Sequence, residues 1–108
     1  MAQSLIYITT GSRDEALAIA RELVESRLAA CANVLAGTTS VYHWQGEVCE
    51  EGEVSLILKT RDDLVDRVVE KVRELHSYDC PCVVSLPITG GNQGFLDWID
   101  VETAETSE

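Results

Sequence analysis

The 108-residue chain carries 8 Lys+Arg against 19 Asp+Glu, a formal net charge of −11, with 45% hydrophobic residues, two prolines and four cysteines. That length suits one ordinary domain covering residues 1–108, with a core that needs no staples, and the apolar share argues against wholesale disorder. The acidity excludes a nucleic-acid binder, which needs a basic stripe to displace counterions from phosphates, and it disfavours anionic membrane surfaces.

Leu5-Ile6-Tyr7-Ile8-Thr9-Thr10 is a short, nearly continuous apolar run that predicts a strand, ended by Gly11. Ser12 with Glu15 three residues on forms a capping box, and Ala16, Ala20, Leu23 and Val24 continue at helical spacing to about Leu28. The period then turns strand-like from Ala29 to Thr60. An outgoing arm carries Ala32–Leu35 and Thr39–Trp44 with a break near Gly37, and Gln45-Gly46 makes a hairpin turn. The return arm begins at Glu47-Val48, is interrupted at Gly52 and runs on from Val54 to Thr60.

Arms of roughly 12–14 residues would project about 40 Å at 3.3 Å per residue and overhang their own sheet. Tyr42 and Trp44 share a face near the tip, because residues i and i+2 of a strand point the same way. An exposed aromatic hairpin is unstable alone, so the hairpin reads as an oligomerisation arm. Glu47, Glu50, Glu51 and Glu53 read first as a solvated face that blunts free edge pairing.

Asp62 or Thr60 is placed to cap a second helix, whose apolar stripe is Val65, Val68, Val69, Val72 and Leu75. His76-Ser77-Tyr78-Asp79 ends it. Cys82–Leu86 predicts the last strand, with Pro87 closing it or lying on an edge. Gly90-Gly91-Asn92 is a turn and cap for a short helix holding Phe95, Leu96, Trp98 and Ile99, and residues 102–108 are expected to fray. The order is β-α-β-β-α-β plus a final helix: an α+β, ferredoxin-like split βαβ fold with an antiparallel sheet. Right-handed crossovers are expected to bring the first and last strands together at the centre.

No apolar run approaches the roughly 18–20 residues that span a bilayer. Met1-Ala2-Gln3-Ser4 lacks the basic start of a signal peptide, and the four cysteines are too sparse for a disulfide scaffold. The expected location is cytoplasmic. No phosphate-binding or nucleophile-elbow motif occurs, and no catalytic role is expected. Cys80-Pro81-Cys82 places two thiols two residues apart, with His76 four residues upstream. Such soft ligands suit Cu(I) or Zn(II), while the competing reading makes Cys82 a core residue and Cys80 a loop thiol. His76 reads equally as a cap for the preceding helix, and Cys31 as a buried small residue.

Leu28-Ala29-Ala30-Cys31-Ala32-Asn33-Val34, Ser40–Glu47, Glu53–Thr60, Glu74-Leu75-His76-Ser77-Tyr78 with Pro81, Leu86-Pro87-Ile88 and Leu96-Asp97-Trp98-Ile99 resemble the CutA divalent-cation tolerance family over nearly the whole chain. The resemblance implies a ferredoxin-like subunit in a homotrimer built through the long hairpins, similar in architecture to PII signalling proteins. It further implies binding of divalent metal, copper first and zinc as the alternative, in response to and tolerance of metal ions. Cys31 and His76 match the family's recurring metal-contact candidates, and Lys59, Trp44, Tyr78 and Trp98 match positions near intersubunit clefts. Ala36 and Ser77 stand where proline is usual, and Cys80 and Cys82 fall at positions without family cysteines. The rival expectations are a PII-like signalling or scaffold trimer, with a small anionic ligand or protein partner in its clefts, and a small hydrolase or transferase using Lys59 and Cys31.

Overall fold

The computed structural model describes residues 2–103. Chain order is β1 (Gln3–Thr10), α1 (Arg13–Glu25), β2 (Cys31–Trp44), β3 (Glu47–Arg61), a 3₁₀ turn (Asp62–Leu64), α2 (Val65–Leu75), β4 (Val83–Ile88) and α3 (Gln93–Glu102). This is the expected α+β order with one antiparallel sheet. Ile6 and Ile8 of β1 pair with Leu58 and Leu56 of β3, and all four are fully buried against Ile19 and Leu23 of α1 and Val68 and Val72 of α2. Strand alternation sends every second residue to this covered face, so the intervening ones must occupy the other. At about 25 cal/mol per Å² of apolar area, this layer is the main source of stability.

The strands lie in the order β2-β3-β1-β4. The first and last strands are neighbours, but they do not share the centre: β1 and β3 do, and β4 is an edge. The tight hairpin returns β3 beside β1 and so pushes β2 outward, while Pro87, lacking an N–H, is tolerated on the edge strand.

Local differences have local causes. α1 stops at Glu25 rather than Leu28, because Arg27 adopts a left-handed φ of +62°; the Leu28 and Ala29 N–H groups both turn back to Leu23 O. Leu28 still reaches the core. Neither Thr60 nor Asp62 caps α2. Thr60 Oγ1 donates to Leu28 O and Asp62 accepts from Ser4 Oγ, so both side chains tie the sheet to its surroundings while a 3₁₀ turn leads into the helix. β3 passes Gly52 without interruption, since Gly52 pairs with Thr39; the irregularity lies across the hairpin, between Leu35 and Thr38, where Gly37 has φ +86°. β4 begins at Val83, leaving Cys82 in the preceding loop. Asn92 caps α3 as expected, its Oδ1 accepting from Gly94 N–H. Glu102 is the last residue of α3 and Thr103 Oγ1 donates to Ile99 O; the rest of the expected fraying tail lies outside the described residues.

The hairpin arms are 14 and 15 residues long. β1 supports β3 only from Arg61 back to Val54, so Thr38–Trp44 and Glu47–Glu53 pair with each other alone. This overhang of seven residues is about 23 Å at 3.3 Å per residue. Val41, Trp44 and Val48 are well exposed on it. Gln45 (φ +50°) and Gly46 (φ +84°) close the two-residue turn in the left-handed geometry that matches strand twist.

The second face of the sheet carries Leu5 and Tyr7 of β1, Leu86 and Val84 opposite them on β4, and Leu35 on β2. α3 lies over one end of it, where Gln3 Nε2 donates to Asp100 Oδ1 at 3.0 Å. Leu35, Val84 and Leu86 remain 45–50% exposed. No helix among the described residues is long and apolar enough to cross a membrane.

Candidate functional site

The loop from His76 to Cys82 rounds the end of the sheet and reaches the foot of the overhanging arm. It is pinned from beneath. The His76 ring is buried, with Nε2 2.8 Å from Thr9 O and Nδ1 3.1 Å from Tyr78 N. A carbonyl can only accept and a backbone N–H can only donate, so Nε2 carries the hydrogen and Nδ1 is the acceptor. Glu15 Oε2 accepts from Ser77 N–H at 2.7 Å, and Oε1 from Gly11 N–H at 3.4 Å. Partial burial would raise the Glu15 carboxyl, but the Ser77 N–H and hydroxyl and the Gly11 N–H outweigh it, leaving the pKa below the usual value.

Above this anchor, Tyr78 sets its ring 4.6 Å from that of His76, tilted by 51°, and donates its hydroxyl to Glu53 Oε2 at 2.7 Å. Ser40 Oγ donates to the other oxygen of Glu53 at 2.6 Å. Burial first, and then the Glu53 hydrogen bond and charge, raise the Tyr78 hydroxyl pKa. Nearer the tip, the hydrogen bond from Tyr42 to Glu51 is the main reason that the Tyr42 pKa is pushed up to about 12. A phenol beside a carboxylate resists becoming a second anion.

These groups enclose an open cleft of about 480 Å³, lined by Tyr7, Thr9, Ser40, Tyr42, Trp44, Glu51, Glu53, Tyr78, Cys80 and Cys82. Tyr42, Trp44, Tyr78, Cys80 and Cys82 from the sequence reading therefore meet in one place. The others lie elsewhere. Cys31 and Lys59 face each other across β2 and β3, Lys59 Nζ lying 2.7 Å from Asn33 Oδ1 and 3.9 Å from Cys31 Sγ. His76 is bonded to Thr9, which pairs with Ser55; Cys31 pairs with Lys59, four residues along the same strand or about 13 Å at 3.3 Å per residue. Trp98 is on α3, with its ring 5.3 Å from that of Phe95. Both ring nitrogens of His76 make hydrogen bonds within the chain, one to Thr9 O and one from Tyr78 N–H.

All four cysteines are free, and Cys80 and Cys82 are exposed. Among the described residues, no three His, Cys, Asp or Glu side chains are grouped to hold a metal ion. The described donors of a single chain thus do not by themselves build a structural zinc tetrahedron, which takes four. The cleft also lacks any lining Lys, Arg or His, which suits it poorly to an anion.

Glu15, Thr9 and Glu53 were not legible as a unit in the sequence. The available signal is parity: Glu51 and Glu53 alternate onto the same face as Ser55, which is tied through its hydroxyl to Tyr7 and Thr38 at 2.7 and 2.6 Å.

The family model for CutA1 divalent ion tolerance protein matches residues 4–102. The chain belongs to this family. It is 45% identical over 101 residues to the divalent-cation tolerance protein CutA of Thermus thermophilus, covering 94% of this chain and 98% of that protein. The solved Thermus thermophilus structure matches with TM-score 0.92 at 44% identity, covering 94% of this chain and 99% of that one. CutA1 from Oryza sativa matches with TM-score 0.94 at 38% identity, covering 98% and 97%. The chain spans only 58% of the rice relative named CutA 1, chloroplastic, at 39% identity over 94% of this chain, and 54% of the chloroplastic Arabidopsis thaliana relative. A structure from Archaeoglobus fulgidus, TM-score 0.91 at 39% identity over 94% of this chain and 99% of that one, is described as a periplasmic divalent cation tolerance protein. Family membership carries metal tolerance in general.

Proposed function

We propose that the chain works as a homotrimer in the cytoplasm, binding a divalent metal ion without catalysis as part of the response to metal. Copper is the first choice and zinc the second. The observation that carries this is the place where two features meet: an aromatic arm overhanging an uncovered apolar sheet face, with the exposed Cys80 and Cys82 thiols at its foot. A monomer exposes that face and arm at a cost, and pairing with other copies removes it. The described residues of one chain group no three metal-ligating side chains, so the proposed ion takes donors from more than one copy, and thiols give copper or zinc its preferred soft ligands. The net charge of −11 draws cations toward the assembly. Four unpaired thiols suit a reducing compartment.

The test is an equilibrium titration with copper and zinc of wild type, Cys31→Ala, His76→Ala and a Cys80→Ser/Cys82→Ser double variant. The double serine variant is expected to lose most of the affinity. Equal affinity in all four proteins, or no binding by wild type at micromolar metal, sinks the proposal.

A further inference from the structure

Glu51 and Glu53 stand in the wall of the cleft, on the overhanging part of β3 that the chain's own sheet does not support. Their partners are neutral hydroxyls: Ser40 and Tyr78 for Glu53, and Tyr42 for Glu51. Among the described residues, neither acid makes an ion pair, and no basic side chain lines the cleft. A neighbouring copy laid over the sheet face and the arm would strip water from both carboxylates. Such burial is costly unless the neighbour brings a positive charge with it.

The supply of such charges is short. Five of the chain's eight Lys and Arg belong to α1 and α2, on the other side of the sheet. Arg27 is bound to Glu102 at 3.3 Å and Arg61 to Asp63 at 3.1 Å. Lys59 remains. It lies on the face that neighbours would cover, since Leu58 beside it is buried beneath the helices and successive strand residues point to opposite sides. Its Nζ is 2.7 Å from Asn33 Oδ1 and 3.9 Å from Cys31 Sγ, and among the described residues it meets no carboxylate. Glu53 of the same chain cannot answer it. The two are six residues apart on one strand, about 20 Å at 3.3 Å per residue and well beyond a lysine side chain.

We infer that, in the homotrimer on which this pairing rests, each copy sets its Lys59 ammonium against Glu51 and Glu53 of its neighbour, so that the cleft of one copy is completed by the next.

A closed ring of three joins unlike patches, one patch of each copy meeting the other patch of the next. Lys59 over the sheet and the two acids on the arm are such patches: opposite in charge, on one face, and separate. The overhang of seven residues, about 23 Å, gives the acids the reach to lie over a neighbour's sheet. One contact answers two burial costs, the ammonium's and the carboxylates'. A metal ion or small cation in the lysine's place would neutralise the acids but leave Lys59 covered without an anion. An anionic ligand would do the reverse. Opposite charges placed this way also fix the register of the interface, because a shifted neighbour would bring acid against acid.

The experiment is sedimentation velocity of the full-length protein over a concentration series, with wild type, Lys59→Met, Lys59→Glu and Lys59→Glu/Glu51→Lys. Lys59→Met keeps the stem and removes the charge, and is expected to raise the concentration of half-assembly at least about tenfold. Lys59→Glu is expected to raise it further. The double variant restores the sum of charges across the contact and is expected to recover most of the loss, which a role for Lys59 confined to its own chain would not give. Wild-type assembly by both Lys59→Met and Lys59→Glu overturns the pairing and leaves the trimer standing. A folded double variant that assembles no better than Lys59→Glu overturns it as well. A wild type that stays monomeric at micromolar concentration overturns the pairing and the trimer together.

Discussion

Replacing His76 with alanine separates two roles that the same residue type could play. In the structure its ring is a bolt between β1 and the loop, with one nitrogen on Thr9 O at 2.8 Å and the other on Tyr78 N at 3.1 Å. Removing the ring deletes two hydrogen bonds at about 1 kcal/mol each and leaves the Thr9 carbonyl buried without a partner, for about 1 kcal/mol more. Losing the ring contact with Tyr78 adds a packing cost, so a destabilisation of about 3–4 kcal/mol is expected. Urea unfolding at one fixed protein concentration reads it directly, because assembly makes midpoints concentration-dependent. Metal affinity of the folded variant should stay close to wild type. A loss below about 1 kcal/mol, or a fully stable variant with its metal affinity gone, would refute the bolt and restore His76 as a ligand.

Glu15→Gln probes the other half of the anchor. The Glu15 pKa is below its ordinary value of 4.5 in the folded chain, so the unfolded state binds more protons in acid. Its contribution is fully present above 4.5 and is lost as pH falls through the folded value. Glutamine should cost about 1 kcal/mol at neutral pH, as charged hydrogen bonds become neutral ones, and the gap to wild type should close in acid; a gap that widens in acid reverses the sign. Gly46→Ala puts a Cβ at φ +84° and should cost about 1 kcal/mol, read as faster amide exchange along the arm before the core loosens. Unchanged exchange would mean that the turn does not govern the arm. Leu86→Glu places a charge on the uncovered sheet face, where the side chain is half exposed, so the monomer should fold while sedimentation velocity shows assembly lost. An intact assembly would move the interface elsewhere.

The order of elements and the long hairpin were legible because they rest on local signals: a strand run closed by Gly11, a helical stripe, and Gln45-Gly46 between two extended arms. Ser12 caps α1 as the Ser12/Glu15 spacing requires, with Oγ accepting from Glu15 N–H at 3.1 Å. The other half of that box is diverted. The Glu15 carboxylate goes to Gly11 and to Ser77, a partner 62 residues away that no local pattern can announce. The same limit applies to His76, whose decisive contact is Thr9, 67 residues distant. Glu53 read as one of four solvated acids, and only the register that sets Ser55 beside Thr9, with Tyr78 above, makes it a cleft wall. Position in the fold, a loop against the start of β2, and not residue type separates Cys80 and Cys82 from Cys31.

Native mass spectrometry of the copper-loaded protein tests the metal proposal most directly, because it reads copy number and bound ion together. A trimer is predicted, carrying copper that the Cys80→Ser/Cys82→Ser variant loses and a folded His76→Ala variant keeps. A monomer, or a trimer whose copper survives the double serine change, would contradict it.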